Sequence, residues 1–169
     1  MKLSEALLPE WDQEMANTRK TLERIPDEKL DWRPHQKSST MGSLGTHLAN
    51  LPTWANHALE KESLDLSPPG AEAPRAELLT ARQQILETFD KNVASGRAAI
   101  AAASNEEFAK TWTLLRAGNP ILSLPKIAVV RGFVLNHNIH HRAQLGVYLR
   151  LNDVAVPSIY GPSADESGF

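Results

Sequence analysis

Two histidines four residues apart, His137 and His141, are the residues of this sequence whose type and spacing best suit chemistry. Residues i and i+4 lie one above the other on one face of a helix, so both rings can turn a nitrogen toward one point. A divalent cation at that point would satisfy both imidazoles. The spacing alone leaves a second interpretation open, in which both are core histidines paired with other polar side chains.

A third histidine in the same segment, His140, follows His137 by three residues. Its neighbours on the helical wheel are Asn136 and Gln144 rather than aliphatic residues, so we interpret it as a flanking residue. No glutamate follows His137, and the segment therefore lacks the HExxH pattern that places the general base of a metalloprotease beside its first ligand. This absence argues against hydrolysis of that kind.

A helix must position these histidines. From Ile127 to Leu151, apolar residues and the two histidines recur at steps of three or four, which is the period of an amphipathic helix. The repeating positions are Ile127, Val130, Val134, His137, His141, Leu145 and Tyr148. The pattern predicts a helix of about 25 residues, roughly 37 Å long, with both histidines on its core-facing side.

Two earlier segments also have the helical period. The first runs from Leu8 to Ile25, with Pro9 acceptable only in its first turn and Pro26 ending it. The second runs from about 42 to 60, with Ser39 or Thr40 as its N-cap. The residues between these two helices are predicted to form a loop with one short turn.

Another long helix is predicted to begin at Pro74, because proline suits the first helical position, and to end near Ala103. A capping box formed by Ser104 and Glu107 predicts a short helix after it. Residues 64–74 and 112–125 are interpreted as loop connections. Residues 152–169 form an irregular tail with enough apolar residues to pack on the rest.

The second helix contributes one more histidine. His47 lies three residues after Leu44 and four before Leu51, on or beside the buried face. If this helix faces the last one, His47 joins His137 and His141. Three nitrogen ligands with open positions are the pattern of a reactive metal site rather than a closed structural one. The remaining histidines, His35 and His57, are predicted at the surface.

Composition limits the classes of function. The 169 residues suit one domain, 1–169, and the net charge of -2 without runs of like charge argues against nucleic-acid or anionic-membrane partners. The absence of cysteine excludes disulfides, thiolate zinc sites and a protein thiol nucleophile. Without a signal peptide or a membrane-spanning apolar run, we expect a cytoplasmic protein. The four tryptophans are interpreted as core anchors.

These elements predict an all-α fold, a four-helix bundle with long connections. The segments NHNIHHRAQLGVYLRLNDVAVPSIYGP and LDWRPHQKSSTMGSLGTHLANL resemble the DinB/YfiT-like metalloenzyme family. That family carries HxxxHRxQL in its last helix and a single histidine in its second helix. The resemblance extends from about Leu3 to Tyr160.

The resemblance implies a divalent metal ion, zinc or nickel, on His47, His137 and His141, with Arg142 and Gln144 beside the ligands. Ala143 departs from the glycine that many members have there. Relatives include thiol-dependent S-transferases and isomerases that use mycothiol or bacillithiol. We therefore expect a metal-dependent enzyme that activates a thiol or water, a low-molecular-weight thiol cofactor, a small-molecule substrate and a homodimer. The alternative is a non-catalytic metal-binding or dimeric interaction protein whose structural metal has a closed coordination sphere.

Overall fold

Helices make up most of the chain in the computed structural model, which describes residues 2–70 and 77–167. The α-helices are α1 Leu3–Leu22, α2 Met41–Asn50, α3 Thr53–Glu60, α4 Arg82–Ala102, α5 Asn105–Ala109, α6 Lys126–Val129 and α7 His137–Arg150. A 3-10 turn covers Asp27–Lys29, and a π-helical segment, Val130–Asn136, joins α6 directly to α7. The prediction of a mainly helical protein is confirmed.

The all-α prediction is wrong in one region, because the chain also forms a three-stranded sheet. Its strands are β1 Ser63–Asp65, β2 Thr111–Arg116 and β3 Asn119–Pro125, in the order β1-β2-β3. Strand β1 is parallel to β2, and β2 is antiparallel to β3. These residues were predicted to be loop connections.

Local features of the sequence explain the β2–β3 hairpin, although a register shift makes its strand pattern hard to recognise. Trp112 and Leu114 alternate with less buried residues, as a half-buried strand requires. The turn residues Ala117 and Gly118 have φ of 49° and 76°, the positive values that a two-residue hairpin turn needs. The ladder shifts register between Leu114 and Leu115, so two consecutive leucines interrupt the alternation.

The predicted second helix is broken in two by Pro52, between α2 and α3. Proline has no backbone N–H, and its ring clashes with the carbonyl four residues earlier, so a continuous helix cannot pass through it. The predicted start of this helix is confirmed, because the Thr40 hydroxyl accepts a hydrogen bond from the Ser43 N–H at 3.2 Å.

The ends of two other helices also differ from prediction. Helix α1 begins at Leu3, where the Lys2 N–H donates to the Glu5 carboxylate at 3.1 Å, so Pro9 lies beyond the first turn. Helix α4 begins at Arg82, while the predicted start at Pro74 lies outside the described residues. The predicted cap of α5 is confirmed by a 3.1 Å bond from the Glu107 N–H to the Ser104 hydroxyl.

The core lies where α1 packs against α4 and α7, and where α2 packs against the same two helices. Trp11 and Trp112 are fully buried in it, which confirms them as core anchors. Gly96 of α4 permits a close approach, because a Cβ there would lie 2.8 Å from both the Pro52 carbonyl and the Trp11 ring. This packing holds α2 beside α7 and so positions their histidines.

Candidate metal centre

The three predicted histidines come together between α2 and α7. His47 lies in the last turn of α2, His137 begins α7, and His141 follows one turn later. The Nε2 atom of His137 lies 2.8 Å from Nε2 of His141 and 3.4 Å from Nε2 of His47. One nitrogen from each ring lies within 4.8 Å of the others, and the described residues add no carboxylate to this cluster. Such a cluster has the geometry to hold a metal ion.

Gln144 controls which nitrogens of the cluster are free. Its Oε1 atom lies 2.7 Å from Nδ1 of His141, and its amide nitrogen lies 3.1 Å from Nε2 of His140. An amide oxygen only accepts, so His141 must donate from Nδ1 and keep a lone pair on Nε2. His137 has a backbone hydrogen bond to Phe133 one turn earlier.

The donor set of these rings fits a cation. The Nε2 atom of His137 faces two other ring nitrogens, and one proton there would have to be shared between them. A metal ion would instead accept a lone pair from each of the three nitrogens. Outer hydrogen bonds such as the one from His141 to Gln144 are the usual means of orienting ligand rings.

The electrostatic surroundings favour the neutral form of each ring. Burial, followed by the charges of His141 and His137, lowers the pKa of His47 to about 4. Burial is also the first cause that lowers the pKa values of His137 and His141. All three rings are therefore neutral at pH 7, each with one nitrogen lone pair free, which is the form that binds a metal.

The π-helical segment changes which face of the last helix is buried. After this segment the fully buried positions are Asn138, Arg142, Leu145 and Leu149, and His137 and His141 lie beside them. The prediction of two core-facing histidines is therefore corrected: both rings are partly exposed. A π turn contains more residues than an α turn, so the residues that follow it rotate relative to the predicted periodicity.

Comparison with known proteins identifies the family of this chain. The DinB family profile matches residues 1–168. The chain belongs to the DinB family. No curated protein matches it significantly.

Three solved structures resemble this DinB chain. A DinB-like protein from Bacillus cereus is 20% identical, with a TM-score of 0.72 over 94% of this chain and 98% of its own. One from Bacillus subtilis is 14% identical, with a TM-score of 0.66 over 90% and 95%. A candidate DinB-family member from Exiguobacterium sibiricum is 16% identical, with a TM-score of 0.61 over 98% of both chains. At these identities the likeness shows the fold alone.

Arg142 of the DinB motif flanks His141 in the sequence, but its side chain points away from the histidines, so it does not support the ligands as the resemblance implied. Its side chain is only 4% exposed and forms an ion pair with Glu14 of α1 at 2.7 Å. It also donates to the Glu14 carbonyl at 3.0 Å and to the Tyr160 hydroxyl. Burial, then Glu14, raises the pKa of Tyr160, whose hydroxyl donates to Glu14 at 2.7 Å. Arg142 thus connects α7 to α1 and to the tail.

Sequence reasoning missed Asn138, which is fully buried although it lies next to His137. Its amide oxygen accepts a hydrogen bond from the Thr18 hydroxyl of α1. The steps from Asn138 to Arg142, Leu145 and Leu149 are four, three and four residues, so the helical period could have revealed this second face. Because Asn138 and Arg142 on this face are polar, the alternative face with His137 and His141 was taken as the buried one.

Two other histidines, His35 and His57, lie apart from the cluster in this DinB chain. His35 is exposed in its loop, as predicted. His57 is partly buried rather than at the surface, because its ring lies edge-on to Trp54 with centroids 6.4 Å apart. Within residues 2–70 and 77–167, none of the helices has the length and apolar character needed to cross a membrane.

Proposed function

We propose that this protein binds a divalent metal ion, zinc or nickel, through His47, His137 and His141, and that it is a metal-dependent enzyme. The convergence of three Nε2 atoms carries the proposal. Two observations support it: the hydrogen bond from His141 to Gln144 orients one ring, and the lowered pKa values of His47 and His141 favour the neutral, metal-binding form.

The surroundings of the cluster favour an open metal site. All three rings are only partly buried, and the described part of the chain places no carboxylate among them. A bound metal would act as a Lewis acid that lowers the pKa of a coordinated thiol or water. Because the chain has no cysteine, a thiol would come from a low-molecular-weight cofactor. An S-transferase-like reaction on a small electrophile is the form that we favour.

Elemental analysis of the untagged protein tests the metal site. We expect about one zinc or nickel ion per chain in the wild type and its loss in His47→Ala, His137→Ala and His141→Ala. His35→Ala is the control, because His35 is an exposed loop histidine outside the cluster. A wild type that takes up no metal after incubation with zinc and nickel would refute the proposal.

A separate experiment tests thiol activation. The metal-loaded protein is incubated with low-molecular-weight thiols and a panel of electrophiles, and consumption of the electrophile is followed. We expect thiol-dependent consumption that His137→Ala abolishes, together with a rise in melting temperature on addition of the thiol. If neither occurs, the transferase form of the proposal is wrong while the metal site can stand.

The second candidate is a non-catalytic metal-binding protein. It is favoured by the position of the ligands, because His47 and His137 belong to different helices that a metal would cross-link. Cobalt substitution separates the two candidates. In an open site, an added thiol binds cobalt and produces a sulfur-to-metal charge-transfer band, whereas a closed site leaves the spectrum unchanged.

We also propose a homodimer, which the family resemblance implies. Size-exclusion chromatography with light scattering tests this directly. A mass near 18.6 kDa, that of one chain, would refute it.

A further inference from the structure

A cavity of about 410 Å³ lies on the side of α7 that faces away from the histidines. Its apolar walls are Ile139, Ala143, Gly146, Val147, Val156 and Ile159. At 100° per residue, the α7 members of this set lie about half a turn from His137 and His141. The volume is within the range of small-molecule sites, roughly 300–1,000 Å³. We call this space the tail cavity, because residues 156–163 form one of its sides.

The charged groups of the tail cavity are neutralised within the protein. Arg142 is paired with Glu14 at 2.7 Å, and Arg150 is paired with Asp165 of the tail. A charged ligand would find neither guanidinium free and would lose its hydration on entering an apolar space. The lining therefore suits an uncharged ligand.

Among the three hydroxyl groups of the lining, those of Ser163, Tyr160 and Thr21, we identify the Thr21 oxygen as the acceptor for a ligand. Ser163 is saturated, since it donates to the Val156 carbonyl at 2.7 Å and accepts two backbone N–H groups. The Tyr160 hydroxyl donates to Glu14 and accepts from Arg142. Thr21 donates to the Asn17 carbonyl at 3.0 Å, so its oxygen is left as an acceptor. A ligand that offers a donor would match it.

We propose that the tail cavity binds an uncharged, largely apolar small molecule that carries a hydroxyl group, at a site separate from the metal centre. The apolar body lies against Ile139, Gly146 and Val156, and the hydroxyl donates to Thr21. Binding at this site does not require the metal, since its lining includes none of the three clustered histidines.

Displacement of a neutral fluorescent dye, N-phenyl-1-naphthylamine, tests the proposal with three ligands of equal chain length. We expect 1-octanol to displace the dye, and octanoate and octylammonium to bind more weakly by about tenfold or more, because each would carry an unpaired charge out of water. Equal displacement by all three would overturn the proposal, as would failure of the dye and octanol to bind.

Variants locate the site. Gly146→Leu fills the cavity, because a Cβ there meets only Val156 at 3.9 Å and a helical leucine extends back over Arg142 and Ala143. We expect it to abolish octanol binding. The matched control is Gly132→Leu, where a Cβ meets no atom within 4 Å. Circular dichroism and metal content should match the wild type in both variants.

Thr21→Val tests the hydroxyl contact without a large change in shape. We expect octanol to bind about twofold to tenfold more weakly while the dye binds as before. Unchanged octanol affinity would overturn the assignment of Thr21. The cavity could instead be an interface between copies of this chain. In that case the wild type would not bind the dye, Gly146→Leu would convert a dimer to a monomer, and the ligand proposal would be wrong.

Discussion

The two edges of α7 differ in how their polar side chains are held. On one edge, His137 and His141 are partly exposed, and their polar contacts are with each other, with Gln144, with the backbone of Phe133 and with His47 of α2. On the other, Arg142 is buried and bonded to α1 and to the tail. The buried edge holds the helix in place, while the exposed edge keeps ring nitrogens available to an exogenous group. Neighbouring positions of one motif therefore serve separate purposes.

Breaking the buried edge should have the largest effect. Arg142→Ala leaves the Glu14 carboxylate buried without its charged partner, and we expect the free energy of unfolding to fall by about 3–5 kcal/mol in urea denaturation. Arg131→Ala is the control, because its pair with Glu10 is exposed and should contribute about 0–1 kcal/mol. Equal losses in the two variants would contradict the contrast between the edges.

The exposed edge should stabilise the fold only when metal is present. Zinc at a thousandfold excess over its Kd should raise the free energy of unfolding by about 4 kcal/mol. His137→Ala should lose this increment and otherwise unfold like the metal-free wild type. Calorimetry with and without zinc measures both. A His137→Ala protein that zinc stabilises as strongly as the wild type would show that the metal binds elsewhere.

Orientation of the rings should have an intermediate effect. Gln144→Ala removes the acceptor that holds Nδ1 of His141, and we expect metal affinity to fall by about tenfold to a hundredfold. Competition with a zinc chelator gives the affinity. Gln36→Ala removes an exposed glutamine of the loop before α2 and should leave affinity unchanged. A Gln144→Ala protein with wild-type affinity would place this residue outside the metal site.

The smallest expected effect is the response of the metal-free protein to acid, because solvent screens the partly exposed ring of His47 and reduces the energy associated with its pKa shift. The pKa of His47 is lowered from 6.5 to about 4, first by burial, so between these values the unfolded chain binds more protons than the folded chain. Stability is therefore fully present above pH 6.5 and falls as the pH drops toward 4. Denaturation at several pH values should show this loss in the wild type and a smaller one in His47→Ala. Identical profiles would contradict the assigned shift.

Local signals predicted the helices well and their interruptions poorly. The caps at Thr40 and Ser104 were predicted correctly because a cap is a local interaction: the side-chain hydroxyl accepts a hydrogen bond from the backbone N–H three residues later. The break at Pro52 was missed because an apolar pattern continues across it. The β2–β3 hairpin was missed because a register shift at Leu114 and Leu115 disturbs the alternation of the strand.

The sequence by itself determined that the protein is mainly helical and which three histidines could share a site, because helical period and the order of the motif are local properties. Only the tertiary structure decided which edge of the last helix is buried. A π-helical segment rotates the residues after it, and Glu14 and Tyr160, distant in sequence, provide the partners that draw Arg142 into the interior. Burial of a charged residue depends on such partners, and spacing along one helix cannot reveal them.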